Sequence, residues 1–218
     1  MRIRAITPIV VPNEELVRRQ ARYAALAPPP LEIELVSISG GPDRLESAEQ
    51  IRESEQWVFD EAMRTDPRRY DAILPDCVLD PALERLASEA PVPVFGITKL
   101  TAGYLAALGH TFGAVTRTSA IANELTGRIE AFGLGGHLDV VKVLHLDLED
   151  IVRTETWNGA LAAALDELKA HNVDSVINGC SAVEVQPSQG PTVIDPTALA
   201  LELLALAARR HLVVRRTE

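Results

Sequence analysis

The chain has 218 residues, 47% of them hydrophobic and 24% charged, which supports a packed core and speaks against extended disorder. Its formal net charge of −10 argues against nucleic acid as a partner, because phosphate binding depends on clustered Lys and Arg. The basic pairs Arg18-Arg19, Arg68-Arg69, Arg209-Arg210 and Arg215-Arg216 are scattered and read as solvated faces or helix ends. The longest apolar stretch, near ALALELLALAA, is interrupted by Glu202 and is too short to span a bilayer. MRIRAITPIVV lacks the marks of a signal peptide, and two cysteines do not make a disulfide framework. A cytoplasmic protein with free thiols and no membrane partner is expected.

In chain order, RIRAITPIVV reads as a buried strand running into a loop. NEELVRRQARYAALA has helical periodicity, and LEIELVSI (31–38) reads as the next strand. SAEQIRESEQWVFDEAMR reads as a helix opened by a capping box of Ser47 and Gln50. DAILP gives a short strand, and DPALERLASEA a helix with Asp80 as its cap and Pro81 at its first position. VPVFGI is expected as a further strand. A helix over 101–108 precedes the strand TFGAVT (111–116) and a helix over 119–134. LDVVKVLHL (138–146) reads as a strand and 157–172 as a helix. DSVING and PTVID read as strands, and PTALALELLALAARR as the closing helix.

Strands alternating with helices through short turns define an α/β fold with mainly parallel sheets. Two related halves are visible within it. D-A-I-L-P-D-C at 71–77 parallels D-S-V-I-N-G-C at 174–180. The expectation is two pseudo-symmetric α/β subdomains, 1–97 and 98–196, with the C-terminal helix over 197–211 packing onto the first.

Both cysteines, Cys77 and Cys180, follow a strand in this reading. In parallel α/β proteins ligands sit beyond the carboxyl ends of the strands. Free N–H groups at a following helix start favour an anion there and lower a thiol's pKa. Ser181 and Glu184 are placed to cap such a helix after Cys180. Simple packing as small hydrophobes and a mutual disulfide are the alternatives. Two thiols facing each other across a cleft suit a definite chemistry. One, as thiolate, removes a proton from a carbon next to a carbonyl, and the other, as thiol, returns a proton to the opposite face. Backbone N–H groups or hydroxyls would stabilise charge on the carbonyl oxygen.

The chain resembles the aspartate/glutamate/hydantoin racemase superfamily, and most nearly its hydantoin and allantoin racemase branch. The resemblance is carried by RIRAITPIVVP, SGGPDRLESAEQ, YDAILPDCVLDPAL, VPVFGITKLTAGYLAALGHTFGAVTRTSA, IEAFGLGGHLDVVKVLHLDL, DSVINGCSAVE and TVIDPTALALEL. It implies two subdomains related by a pseudo-twofold axis, with the active site in the cleft between them. It also implies racemisation or epimerisation without a cofactor by a two-cysteine, two-base mechanism, and homo-oligomeric assembly. Cys77 and Cys180 match the paired catalytic cysteines. Thr116 and Arg117 match a segment that binds substrate oxygens, and Thr7 and Pro8 match the end of the first strand, which lines the pocket. Val78, Leu79, Ser181 and Ala182 flank the cysteines and are expected at the substrate. Glycines of the branch are replaced by Leu79 and Ala182, and Leu79 predicts a tighter or more apolar pocket or an altered oxyanion cradle. A small α-substituted carbonyl compound, hydantoin-like or amino-acid-derived, is the expected substrate. Related functions on the same fold are a maleate-type cis-trans isomerase with a cysteine nucleophile and a non-catalytic binding protein.

None of the five histidines has a compact ligand spacing with a cysteine, so no metal site is expected. His145 reads as part of an apolar strand, packed in the core or at its boundary. GLGG at 133–136 follows a helix and reads as a helix end, not a phosphate loop. SGG at 39–41 reads as a turn that borders the ligand cleft, and Trp57 and Trp157 read as packing residues.

Overall fold

A computed structural model describes residues 1–171, 173–186 and 190–213. The end of the expected helix at Asn172 and the Arg215-Arg216 pair lie outside the described residues. In chain order the elements are β1 (Arg2–Thr7), α1 (Asn13–Leu26), β2 (Glu32–Ser37), α2 (Ala48–Met63), β3 (Ala72–Pro75), α3 (Leu83–Glu89) and α4 (Ile97–Ala107). They continue with β4 (Phe112–Thr116), α5 (Ser119–Ala131), β5 (Leu138–Val143), α6 (Thr154–Leu168), β6 (Ser175–Asn178), β7 (Thr192–Ile194) and α7 (Pro196–Arg209). The fold is α/β with two parallel sheets. Among the described residues no helix is long and apolar enough to cross a membrane.

The chain divides into two compact units, Met1–Leu100 together with the segment from Thr197 onward, and Thr101–Pro196. The first unit holds the sheet β2-β1-β3. Its central strand is covered on both faces, and Ile3, Ala5 and Ile6 are wholly buried. Successive side chains still alternate between faces. Ile3 and Ala5 pack with Ala72 and Leu74 against Tyr23 of α1 and Ala200, Leu201 and Leu204 of α7. Ile6 and Ile73 take the other face, against Val58, Phe59 and Ala62 of α2 and Leu86 of α3. Ser47 opens α2 with the capping box read from the sequence, its partner being Gln50.

The second unit holds the sheet β5-β4-β6-β7. Val115 of β4 and Val176 of β6 pack against Trp157, Leu161, Leu165 and Leu168 along one side of α6. These positions recur at the helical spacing of three and four, which is why α6 forms as an amphipathic helix on this sheet.

The repeat seen in the sequence is a repeat of hydrogen bonds. The N–H of Arg2, at the start of β1, donates to the Asp71 carboxylate at 2.8 Å, and Asp71 N–H returns a bond to the Arg2 carbonyl at 2.7 Å. Thr111, before β4, and Asp174 make the same reciprocal pair at 2.9 and 2.8 Å. Each aspartate thus sets the register between a central strand and its cysteine-bearing neighbour.

Several expectations fail locally. VPVFGI forms no strand; it pairs with the sheet through a single bridge, from Val94 to Ile73, and otherwise packs its side chains against it. The helix expected over 101–108 begins at Ile97, because another side chain caps it there, as described below. α3 begins at Leu83, after Ala82 in the left-handed region (φ 57°), with no side-chain cap. Asp80 and Pro81 therefore lie outside it. Among the described residues 181–186 no helix follows Cys180, so Ser181 and Glu184 cap none there. β5 stops at Val143, and His145 is exposed in the left-handed region (φ 54°) instead of lying in a strand. The SGG turn has a packing reason: a β-carbon at Gly40 or Gly41 would lie 2.6 or 2.4 Å from the Trp57 ring.

Candidate active site

Ile6 of β1 lies opposite Pro75 of β3, and the Asp76 N–H extends the ladder by donating to the Ile6 carbonyl at 2.7 Å. Cys77 is the next residue, just past the strand's carboxyl end. Its side chain is 9% exposed, and its sulfur accepts from the Leu79 N–H at 3.4 Å. Thr7 ends β1, opposite Ser37 of β2, and is buried; its hydroxyl donates to the Ile9 carbonyl at 2.7 Å. Pro8 is buried, and its carbonyl accepts from the Ser54 hydroxyl at 2.6 Å. Val78 and Leu79 are buried as well, Leu79 to 2% exposure.

The second unit repeats this construction. Val115 of β4 lies opposite Asn178 of β6, and Gly179 N–H donates to the Val115 carbonyl at 2.8 Å. Cys180 follows and is half-buried. Thr116 ends β4 and is buried, its hydroxyl donating to the Thr118 carbonyl at 3.3 Å. Thr7 and Thr116 thus commit their protons in the same way, each to the carbonyl two residues on. Arg117 is 3% exposed and donates to the Leu146 carbonyl at 3.2 Å, holding the segment after β5. Ser181 is buried, and Ala182 is buried within the apolar cluster that contains Trp157.

Asp80 has a different task from the one expected of it. Its carboxylate is wholly buried and accepts from the N–H groups of Thr98 at 3.1 Å and Lys99 at 2.8 Å, so it caps α4 rather than α3. The loop that carries Cys77 is tied to the start of α4 by this cap. Gly96 makes room for it: a β-carbon there would lie 2.4 Å from Asp80 Oδ2. Burial outweighs the N–H donors and pushes the Asp80 carboxyl up to about 7. The residue before Cys77 is also anchored. Asp76 accepts from the buried Tyr23 hydroxyl at 2.8 Å and lies 3.5 Å from the Arg19 guanidinium. Burial, with Asp76 beside it, raises the Tyr23 phenol well above its ordinary range.

The predicted site residues therefore fall into two equivalent sets. Thr7, Pro8, Val78 and Leu79 accompany Cys77 in the first unit; Thr116, Arg117, Ser181 and Ala182 accompany Cys180 in the second. Three residues near the cysteines carried no signal in the sequence reading. Thr98 donates its hydroxyl to the Val78 carbonyl. The Trp157 indole N–H donates to Asn178 Oδ1 at 3.1 Å, and Asn178 Nδ2 donates to the Cys180 carbonyl at 3.0 Å. The asparagine lies within DSVINGC itself, two residues before the cysteine, where a buried amide needs a partner. Among the described residues no group of three His, Cys, Asp or Glu side chains is placed to hold a metal ion.

Two parallel-sheet units, each with a cysteine at a strand's carboxyl end, define a fold shared with known enzymes. The allantoin racemase of Klebsiella pneumoniae superposes with a TM-score of 0.82 at 18% identity, over 98% of this chain and 89% of that one. Allantoin racemase from Pseudomonas fluorescens gives 0.84 at 18% identity, over 98% and 93%. The maleate isomerase Iso of Pseudomonas putida S16 gives 0.62 at 14%, over 96% and 93%. At these identities the likeness is one of fold. A search of curated proteins finds no match. The chain belongs to the Asp/Glu/hydantoin racemase family, whose model matches residues 13–204. It is an enzyme of that racemase and isomerase class.

Proposed function

We propose that this enzyme is a cofactor-independent racemase or epimerase that inverts a small α-substituted carbonyl compound, with Cys77 and Cys180 as its two acid–base groups. The observation that carries this reading is the equivalence of the two cysteines. Each lies one residue past a ladder bond of the same kind, 2.7 Å from Asp76 to Ile6 and 2.8 Å from Gly179 to Val115. Inversion needs a base on one face of a carbon and an acid on the other, and two enantiomers need those roles to exchange. A duplicated thiol serves that requirement better than two unlike groups. In the forward direction one thiolate takes the α-proton, the electron pair passes to the carbonyl as an enolate, and the other thiol protonates the opposite face. The backbone N–H groups of residues 78 and 181–182, the oxygens of Thr7 and Thr116 and the Leu79 side chain are assigned to substrate binding.

A hydantoin-like ring fits the state of the two threonines. Both hydroxyls give their protons to the chain, so they offer lone pairs, and a ring with N–H groups supplies donors to meet them. Arg117, buried at the end of β4, favours a substrate oxygen bearing negative charge. The same reading makes the protein a cytoplasmic homo-oligomer that needs neither metal nor cofactor.

The test is proton exchange. Allantoin and 5-substituted hydantoins of a single hand, incubated with enzyme in deuterium oxide, are expected to racemise with deuterium entering at the stereocentre. Cys77→Ser and Cys180→Ser should each abolish racemisation, while one-sided exchange persists for one enantiomer. Full turnover by both single variants would sink the two-base mechanism. Conversion of maleate without solvent deuterium, with a covalent adduct on one cysteine, would instead favour the isomerase reading.

A further inference from the structure

The peptide unit that joins Val78 to Leu79 is held at both ends. Its N–H donates to Cys77 Sγ at 3.4 Å, and its carbonyl accepts from the Thr98 hydroxyl. A trans peptide is planar and points its C=O and N–H in opposite directions, so fixing the oxygen aims the hydrogen. Thr98 is itself fixed. It is wholly buried in the first turn of α4, and its own N–H donates to Asp80 Oδ1 at 3.1 Å. A threonine hydroxyl has one proton, and here that proton is committed to Val78.

We propose that Thr98 is a positioning residue for Cys77: it orients the Val78–Leu79 peptide so that the Leu79 N–H stabilises the sulfur as a thiolate. A hydrogen bond made to the charged form of a group favours that form. Without the Thr98 hydroxyl the peptide is free to rotate, because the Val78 carbonyl must find another donor or leave its buried position. The N–H then no longer points steadily at the sulfur. The consequence for catalysis rests on the reading of Cys77 as an acid–base group, whereas the effect on the thiol does not.

The charged and titratable groups around this loop are Asp76 and Asp80 on the loop, Lys99 on α4, and Arg19 and Tyr23 of α1, which meet Asp76. Substituting Thr98 changes none of these, so a change in the thiol's behaviour reports the hydrogen bond. Cys180→Ser leaves Cys77 as the sole thiol of the chain. In that background the rate of alkylation by iodoacetamide, followed by intact mass across pH, reads the thiolate fraction directly. Thr98→Val is expected to move the profile to higher pH by about one unit, a roughly tenfold slower reaction near neutrality. Thr98→Ser, which keeps the hydroxyl, should restore the parent profile. Thr98→Ala makes the same comparison should valine not be accommodated. Val and Ala variants with the parent profile would overturn the proposal, as would a Ser variant that behaves like Val. A shifted profile, together with a parent protein that keeps both cysteines yet racemises none of the hydantoins, would uphold the device and refute the functional reading.

Discussion

Gly179 donates its N–H to the Val115 carbonyl at 2.8 Å, and a β-carbon at position 179 would lie 2.1 Å from that same oxygen. The obstacle is backbone at the last β4–β6 pair, held on its other side by β5, so it cannot shift freely. The Thr116 methyl group, 2.8 Å from the same point, closes the other side. Glycine is what lets the chain leave β6 close against Val115 and Thr116, one residue before Cys180. Gly179→Ala is therefore expected to cost about 1–3 kcal/mol in urea unfolding and to lower turnover with it. A variant as stable and as active as the parent would mean that the strand end moves aside freely.

Asp80 makes stability fall as pH rises. Its folded carboxyl titrates at about 7, above the ordinary carboxylate value, so between roughly pH 4 and 7 the folded chain holds a proton that the unfolded chain releases. The stabilisation is complete below the unfolded pKa and is lost as pH climbs through the folded one. Across that window the loss is expected to be on the order of 3–4 kcal/mol. Glu15, held low against its burial by Arg18 and Arg19, and Glu34, held low against its burial by the Tyr70 hydroxyl and then by Arg2 and Arg69, work in the opposite direction, losing stability as pH falls. Comparison with Asp80→Asn separates the two effects. The difference in unfolding free energy between parent and variant should slope downward from pH 4.5 to 7.5. A flat difference would show that the Asp80 carboxyl keeps an ordinary pKa.

Period and punctuation made most of the fold legible. The β1 and β3 segments, the capping box at Ser47 and the duplicated motif before each cysteine are local patterns, and they appear where local rules place them. What the sequence did not disclose lies in contacts between distant segments. Asp80 and Pro81 look like the start of a helix, but the carboxylate reaches 18 residues onward to Thr98, a partner that no local pattern names. VPVFGI has strand composition yet is spent on reaching that cap, with Gly96 pressed against the carboxylate. Ser181 and Glu184 have capping-box spacing, but the described residues 181–186 form no helical run to cap. The strand-end positions of the two cysteines and of Thr7 and Thr116 were legible because strand ends can be read from sequence. Thr98 and Trp157 were not legible, because their roles exist only once α4 and α6 are packed.

Asp71 and Asp174 offer a test of the duplication itself. Each clamps the start of a central strand through one carboxylate bond and one main-chain bond. If the two units are built alike, Asp71→Asn and Asp174→Asn should each cost about 0.5–1.5 kcal/mol. Their effects should also add in the double variant, since the two clamps share no partner. Urea unfolding measures all three. A large cost at one position and none at the other would mean that the matching geometry carries unequal weight.

Trp157 is the remaining residue whose role was not visible from composition. An indole nitrogen only donates, so Asn178 must turn its oxygen toward the ring, which leaves its NH₂ group for the Cys180 carbonyl. The tryptophan therefore decides which way the amide faces, and the amide decides how the Cys180 main chain is held. Trp157→Phe keeps most of the apolar packing but removes the donor. It is expected to cost about 1–2 kcal/mol and to reduce kcat more than it raises KM, because the cysteine is displaced rather than the substrate lost. Asn178→Asp removes the donor to Cys180 and buries a carboxylate, so its cost should exceed that of the tryptophan change. Urea unfolding and steady-state kinetics on both variants check the order. A Trp157→Phe enzyme with unchanged kcat would show that the amide holds its orientation without the indole.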